Sequence, residues 1–545
     1  MQLLLKLIAG TALLFSVTAT SPSRSAADQF DFARLNFGQR IHNRWVDIVW
    51  MPEQPEPADW KVLSACNGES PEWFSMQAPA MNNTPLSRHL RLHGRIRNLP
   101  LESTGNWVRL DTAGNPQTAI HQRMLSDGLL LEQSYALTDI PYHLRISFKL
   151  LNTTKKVYVP HPNDRIELLL GPGLGNQHSE GMGYADSLYS FVEPVAMIAG
   201  KVKRFHTKSA ETTILPWADK KLQWLGLHGR YFAFLIAPAP HQNRQEAFSV
   251  SQVSVLLENE TTKLPPNHLP LLSIGLPLGS ILPGDSMQWN FVVFSGPKSL
   301  EALKGGALGF ERLVFPGLWE WLRWLSFGLL WLIAAIQAAI PNWGVVIILL
   351  AVLVRVVMYP LSKKALASQK EFVLIQKRIQ PELQKIKQDF CGEEQSERIL
   401  KLYETHGVSP LAGIKPLLIV PFQLPILIAL FHVLGSTYEL HRAPFLWMET
   451  LAEPDKLFDL GFTIPFLGEY FNLLPVIMTV STLAAMKLSP TPVATPFAKR
   501  AQNIGLTLFA LLFLIIFYPF PAGLVLYWTV TNIVHIVQQR FSNHF

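Results

Sequence analysis

The chain has 545 residues, of which 49% are hydrophobic and only 16% are charged, and its mean hydropathy is +0.19. That composition is too apolar for an ordinary soluble protein and indicates that part of the chain lies in a bilayer. The presence of only two cysteines excludes a disulfide scaffold. The net charge of +7 comes without a dense block of lysine and arginine among aromatic residues, so we expect no direct contact with DNA.

Residues 1–27 are typical of an export signal. A basic residue precedes an apolar run over residues 7–17, and small residues permit cleavage after Ala19 or after Ala27. The run is shorter than the roughly 20 residues that a membrane span needs, which favours a cleaved signal peptide over an uncleaved signal anchor. With either alternative, the segment that follows is exported.

Residues 28–310 predict a large exported domain, an antiparallel all-β sandwich. Short runs of β-branched and aromatic residues alternate there with Pro, Gly, Asn and Asp. The clearest of these runs begin at Arg145, Arg165, Arg230 and Gln288. The sequence shows no nucleotide-binding loop, catalytic cluster or metal-ligand spacing, so we expect no enzyme activity, no cofactor and no metal.

The rest of the chain predicts an α-helical membrane domain over residues 343–545. Tryptophan is enriched at membrane interfaces, and residues 311–342 contain four tryptophans beside Glu320 and Arg323. That segment therefore predicts an amphipathic helix on the outer membrane surface rather than a span. Five later stretches approach the length of a span, near 343–360, 414–434, 472–487, 504–520 and 523–537.

The charges of the connecting loops predict the orientation of these spans. Residues 361–413 are rich in lysine and arginine, whereas the loop over 435–471 is mainly acidic. The positive-inside rule then places the β-domain outside and the C-terminus in the cytoplasm. Apolar residues recur at helical spacing in 361–413, which predicts a cytoplasmic helical hairpin with one apolar stripe.

Arg355 lies inside the first predicted span, and none of the five spans contains Asp or Glu. An intramembrane charge is energetically unfavourable and usually functional. Helical side chains tilt toward the helix N-terminus, here away from the cytoplasm, which favours a water-filled cavity over snorkelling. Gln423, Trp528 and Asn532 can line such a cavity, or each can join neighbouring helices.

A cationic cavity of this kind suits transient occupation by acidic or polar chain segments, which is the chemistry of a polypeptide insertase. Burial of the apolar helix that follows, at about 25 cal/mol per Å², can drive the step without ATP. Two other classes stay open. One is a small-anion channel or transporter, and the other is a membrane-anchored periplasmic glycan-binding protein.

Several motifs resemble those of a known family, the YidC/Oxa membrane protein insertases, in the Gram-negative form with a large periplasmic domain. The resemblance covers nearly the whole chain. It rests on Asn342-Trp-Gly, Val354-Arg-Val-Val-Met-Tyr-Pro-Leu-Ser-Lys, Gly407-Val-Ser-Pro-Leu-Ala-Gly, Gln423-Leu-Pro-Ile-Leu-Ile-Ala-Leu, Leu488-Ser-Pro-Thr and Phe520-Pro-Ala-Gly-Leu-Val-Leu-Tyr-Trp-Thr-Val-Thr-Asn.

The resemblance implies a periplasmic β-supersandwich and a five-span insertase core in the bacterial inner membrane. Arg355 would be the groove arginine, and Gln423, Tyr527 and Trp528 would line the groove or contact the nascent chain. The implied partners are nascent membrane proteins, membrane lipid, the SecYEG translocon and the ribosome. Because only Arg540 follows the last predicted span, we expect weak ribosome contact through the cytoplasmic loops.

The sequence departs from the family pattern in two places. The export signal looks cleavable, whereas the family usually keeps this segment as an anchor. The stretch over 418–423 is about three residues longer than the family pattern, which bears on the register of that helix relative to Arg355.

Overall fold

The structure is a computed structural model, and it describes the following residues: 39–50, 57–65, 72–76, 91–96, 99–100, 107–110, 117–125, 128–171, 174, 191–205, 213–214, 222–239, 253–257, 270–306, 308–405, 420–437, 439–440, 443–465, 467–488 and 496–544. The predicted export signal at 1–27 and the motif that begins at Gly407 lie outside these residues.

Strands make up the first part of the described chain. The first ten are β1 (Gln39–His42), β2 (Val46–Trp50), β3 (Pro57–Ala65), β4 (Glu72–Ser75), β5 (Arg91–Ile96), β6 (Leu99–Pro100), β7 (Val108–Leu110), β8 (Thr118–Leu125), β9 (Leu129–Leu137) and β10 (His143–Asn152). The next are β11 (Arg165–Leu170), β12 (Val192–Ile198), β13 (Lys201–Arg204), β14 (Thr213–Ile214), β15 (Leu222–Gly229), β16 (Phe232–Pro238), β17 (Val253–Leu257), β18 (Pro270–Leu276) and β19 (Ser286–Pro297).

These strands form the β-domain, a sandwich of two large antiparallel sheets. One sheet has the order β13-β12-β15-β16-β19-β10-β9-β8-β7, the other has the order β14-β17-β18-β11-β5-β6, and β1 to β4 form a smaller sheet. Along β9, buried and half-buried side chains alternate, as expected when one face of a sheet covers a core. Trp224 of β15 and Ile274 of β18 belong to one hydrophobic core. The predicted β-sandwich is therefore confirmed.

The chain leaves the β-domain through an aromatic cluster. Helix α1 (Leu300–Lys304) is followed by a 3-10 turn, Phe310–Leu313. The Phe310 ring is buried and lies 5.8 Å from the rings of both His143 and Trp224. Aromatic pairs at this separation attract each other beyond their burial, so the connection to the helices is firmly held.

The remaining helices form the helical domain, together with one hairpin of two strands. They are α2 (Glu320–Ala339), α3 (Trp343–Asp389), α4 (Gly392–Thr405), α5 (Val420–Ser436), β20 (Phe458–Ile464), β21 (Gly468–Phe471), α6 (Leu473–Leu488), α7 (Pro496–Phe517) and α8 (Ala522–His544). Helix α8 packs against α3 and α6, and α7 packs against α6. Helix α5 packs on α2 and more lightly on α8, and it hardly touches α3.

Helix α3 is longer than the predicted span near 343–360. It continues through Pro360 to Asp389 over 47 residues. A proline inside a helix removes one backbone hydrogen bond, and membrane helices tolerate this. Helix α4 folds back against the second half of α3, where Ile379 and Leu402 are buried together. The predicted apolar stripe is therefore used for packing within this helix pair.

Among the described residues, two helices are long and apolar enough to cross a membrane, namely α2 and the segment Trp343–Lys364 of α3. Shorter apolar helices at Gln423–Ser436, Leu473–Leu488 and Asn503–Phe517 fall where spans are predicted. Helix α8 contains the last predicted span, near 523–537. Since α2 meets the same criterion as α3, the count of five spans and the surface position of α2 stay predictions.

Candidate functional site

Arg355 lies on α3 on the side that faces α8. The residue is only 9% exposed. Its Nε atom is buried and has no hydrogen-bond partner within the described parts of the chain, and no described carboxylate forms an ion pair with it. A buried cation without a counter-ion is costly in free energy, so packing alone does not account for an arginine at this position.

A polar stripe on α8 faces Arg355. Tyr527, Thr531, His535 and Gln539 follow one another at four-residue spacing, which places them on one face of the helix. Tyr527 and His535 lie close enough to Arg355 to interact with its charge. The Tyr527 and Thr531 side chains are buried and adjacent, although their hydroxyl groups do not meet the geometry of a hydrogen bond. The structure thus brings Tyr527 near Arg355, and the groove role that the family resemblance implies for Tyr527 stays a prediction.

Trp528 points to a different side of α8. Its ring centroid lies 5.8 Å from that of Phe513 and 5.5 Å from that of Phe517, both on α7. Its indole Nε1 is buried and has no hydrogen-bond partner among the described residues. Trp528 therefore packs on α7. Its unbonded N–H can bond to a polar group that enters between α8 and α7.

Asn532 joins two helices. Its Nδ2 atom donates hydrogen bonds to Thr482 Oγ1 at 2.8 Å and to Ser481 Oγ at 3.3 Å, both on α6. Of the two interpretations that the sequence leaves open for this residue, these contacts match the interhelical one. Asn532 thus holds α6 against α8, and a role for it in the groove stays untested.

Gln423 lies near the beginning of the described part of α5 and is half-buried. The structure gives its side chain no hydrogen bond to any described residue. Along the described residues, helix α5 hardly touches α3. The structure records no contact between Gln423 and Arg355, so a groove that contains both residues stays a prediction.

The end of the helical domain that lies next to the β-domain is rigidly built around Asp455. One carboxylate oxygen, Oδ2, accepts hydrogen bonds from the backbone N–H groups of Leu473 at 2.8 Å and Leu474 at 3.0 Å. It also accepts a bond of 2.9 Å from the Trp447 indole. Anionic acceptors stabilise exposed N–H groups at a helix start, so Asp455 fixes the beginning of α6.

Two features of this site were not predicted from the sequence. The polar stripe could have been recognised from the four-residue spacing of Tyr527, Thr531 and His535. The hydroxyl partners of Asn532 on α6 give no such signal, because serine and threonine are common in membrane helices and usually bond to their own backbone.

Two family models match consecutive parts of the chain. The model described as YidC periplasmic domain matches residues 102–332, and the model described as 60Kd inner membrane protein matches residues 335–545. The first covers most of the β-domain and α2, and the second covers the helices from the end of α2 onward. Together the two matches account for about four fifths of the chain.

Curated relatives carry the name membrane protein insertase YidC. The protein of Methylobacillus flagellatus is 32% identical over 323 residues, which is 59% of this chain and 51% of that relative. The protein of Janthinobacterium sp. is 28% identical over 419 residues, 76% of this chain and 67% of that relative. The chain thus spans about half the length of the first and about two thirds of the second.

A solved structure described as an active YidC insertase with its first transmembrane domain resolved is 16% identical to this chain. The alignment covers 98% of this chain and 97% of that chain, with a TM-score of 0.33. The two family matches and the shared name of the relatives agree with each other, and the chain belongs to the YidC family of inner membrane proteins with a periplasmic domain.

Proposed function

We propose that this protein inserts newly made membrane proteins into the bacterial inner membrane and assists their folding. The observation that carries the proposal is the buried, uncompensated cation at Arg355, faced by polar side chains of α8. Acidic or polar groups of a substrate can pair with this guanidinium for a short time. Such pairing lowers the desolvation penalty that these groups would meet in hydrocarbon.

The exit of the substrate follows from its own hydrophobicity. Once the polar end of a substrate has passed Arg355, the apolar helix behind it gains about 25 cal/mol for each Å² that it removes from water. We propose that the route into lipid runs between α5 and α3, because these helices hardly touch along their described residues. The substrates in this proposal are nascent membrane proteins whose translocated segments are short and polar.

The proposed topology has five spans, with the β-domain in the periplasm and the C-terminus in the cytoplasm. Helix α2 then lies on the outer surface of the membrane. Trp319, directly before α2, and Trp324 and Trp331 within it are each more than 70% exposed. Indole rings are favoured at the level of the lipid headgroups. The basic connecting segments support the orientation.

We also propose contact with the ribosome through the α3–α4 helix pair. Lys364, Lys385, Lys387 and Lys401 are exposed there and can contact ribosomal RNA phosphates. Such contacts weaken steeply as salt increases, so cosedimentation with ribosomes at low and high salt tests them. Partnership with the SecYEG translocon stays a prediction from the family resemblance.

Site-specific crosslinking of ribosome-bound nascent chains tests the insertase proposal. A photoreactive amino acid replaces Gln423 or Trp528, and Leu508, which is exposed on α7, serves as the control position. We expect nascent membrane proteins to crosslink at Gln423 and Trp528 more strongly than at Leu508. Equal crosslinking at all three positions would contradict the proposal.

A further inference from the structure

Arg230 forms a bridge between the two domains. It lies in the two-residue turn between β15 and β16, and it is only 5% exposed. Its Nε atom donates a hydrogen bond of 2.8 Å to the carbonyl oxygen of Gly435, and its Nη2 atom donates one of 2.6 Å to that of Ala452. These acceptors lie 205 and 222 residues further along the chain, in the helical domain.

Gly435 is the penultimate residue of α5. The last carbonyl groups of a helix have no partner within the helix, and they carry the negative end of its dipole. A guanidinium at this position both satisfies a free carbonyl and places a positive charge at the favourable end. Arg230 therefore caps α5, although it belongs to the periplasmic domain.

Ala452 belongs to a loop that is tied to the start of α8. The backbone N–H of Gly523 donates to the carbonyl of Leu451 at 2.8 Å, and the N–H of Ala522 donates to the carbonyl of Glu453 at 2.7 Å. A single side chain thus links the outer ends of the two helices that carry Gln423 and Tyr527. We call this set of bonds the Arg230 clamp.

Lys298 braces the clamp from within the periplasmic domain. Its Nζ atom donates to the carbonyl of Gly229 at 2.8 Å, directly before Arg230. Its backbone N–H donates to the carbonyl of Tyr231, directly after Arg230, at 2.6 Å. The Arg230 guanidinium also lies 4.6 Å from the centre of the Tyr231 ring. The turn is therefore held on both sides, which limits the freedom of the guanidinium.

The first five residues of α5, 420–424, are less constrained. Pro425 lies inside this helix and lacks the N–H that would bond to the carbonyl four residues earlier. Helix α5 also makes little contact with α3. The helix is thus fixed at its outer end, interrupted at Pro425, and weakly packed on the side of Arg355.

We infer that Arg230 is a positioning residue of the insertase, which fixes the outer end of α5 to the periplasmic domain and to α8 and confines substrate-induced movement to the part of α5 before Pro425. This inference rests on the proposed function for its consequence in insertion. The fixed outer end keeps the distance between α5 and α8 defined, while the residues before Pro425 move when a chain enters.

Distances between spin labels in the full chain in lipid test the clamp. Both cysteines are first replaced by serine. One label pair, Lys201→Cys with Leu446→Cys, joins an exposed residue of the periplasmic domain to an exposed residue of the loop beyond α5. A second pair, Val357→Cys with Leu424→Cys, joins exposed residues of α3 and α5. Each pair is measured with Arg230, Arg230→Lys and Arg230→Gln.

We expect Arg230→Gln to broaden the distance distribution of both pairs and to slow insertion about fivefold, the lower end of coupling between distant sites. Arg230→Lys keeps the charge and can bond one carbonyl, so we expect an intermediate result. Arg165→Gln is the matched control, because that arginine is 62% exposed and its ion pair is with Glu167 of the same strand. Folding is checked by thermal unfolding, and if Arg230→Gln does not fold, Arg230→Lys carries the test.

Wild-type distance distributions in the Arg230 variants would overturn the clamp, whatever the insertion rate. Broadened distributions with a wild-type insertion rate would overturn the positioning role. Failure of the wild-type protein to insert any substrate would count against the proposed function instead, and the label distances would still decide whether the clamp exists.

Discussion

The side-chain amide of Asn532 donates a hydrogen bond of 2.8 Å to the hydroxyl of Thr482, and this bond joins α8 to α6 within an apolar bundle. Hydrocarbon offers no competing partner for either group, so such bonds favour helix association in membranes. Trp528, four residues before Asn532, packs on α7. Helix α8 therefore has one face that holds the bundle together and another that carries the polar stripe toward Arg355.

Replacing Asn532 by leucine should destabilise the helical domain by about 1 kcal/mol, the usual strength of interhelical hydrogen bonds in membranes. Insertion should continue at the wild-type rate below the unfolding temperature, because Asn532 holds helices rather than substrate. Unfolding in detergent and insertion into proteoliposomes measure the two effects. Asn503→Leu, at an exposed position of α7, is the control. Normal stability with lost insertion would instead place Asn532 in the groove.

Replacing Arg355 should impair insertion more with glutamate than with lysine. Lysine keeps the positive charge, whereas glutamate repels an acidic substrate segment at short range in surroundings of low dielectric. For a substrate with an acidic translocated tail we expect a difference of roughly tenfold, which corresponds to about 1.4 kcal/mol. A substrate with a neutral tail should show a smaller difference. Equal insertion of the acidic substrate by both variants would contradict a charge role.

Replacing Asp455 by alanine should lower the stability of the helical domain by about 2 kcal/mol. Two backbone N–H groups at the start of α6 and the Trp447 indole would lose a charged acceptor. Asp455→Asn keeps one carbonyl oxygen and should lose less. Thermal unfolding of the full chain measures both, with Asp389→Ala as a control at an exposed acid of α3. Equal losses for alanine and asparagine would show that the hydrogen bonds contribute little.

Lys298 should make the stability of the periplasmic domain depend on pH. Burial, together with the nearby charge of Arg204, lowers the pKa of Lys298 from 10.5 to about 7, and Glu193 opposes this shift. The unfolded chain then binds the proton more strongly between about pH 7 and pH 10.5. Stability is therefore lowest below pH 7 and increases as the pH rises through this window.

Thermal unfolding across that range measures the effect. We expect the unfolding temperature of the wild-type protein to increase from neutral to alkaline pH, and Lys298→Met to flatten this increase. Lys155→Met replaces an exposed lysine of the same domain and should keep the wild-type slope. An unchanged slope in Lys298→Met would assign the pH dependence to other groups.

Local patterns were sufficient to predict much of the fold. The run that begins at Gln288 lies within β19, and the run at Arg165 is β11. Both combine β-branched or large apolar residues with the alternation that a half-buried strand requires. The apolar stretch around Arg355 predicts an intramembrane position in the same way, and the segment Trp343–Lys364 that contains it is long and apolar enough to cross a membrane.

Long-range contacts could not be predicted in this way. The predicted strand at Arg230 begins two residues later, at Phe232, because Arg230 and Tyr231 form the turn before β16. The partners of Arg230 lie more than 200 residues away, and no local periodicity reports on them. The same holds for Asp455 and the start of α6, where a loop carboxylate acts on backbone groups 18 and 19 residues later.

The length of α3 has a mechanical consequence. At 1.5 Å per residue its 47 residues extend over about 70 Å, from the membrane to the packed pair with α4. Arg355 and Ile379 thus belong to one rod with a weak point at Pro360, five residues from Arg355. A force applied to the α4 end would bend the helix at Pro360 first. The second half of α3 could then move together with α4 while Arg355 keeps its place against α8.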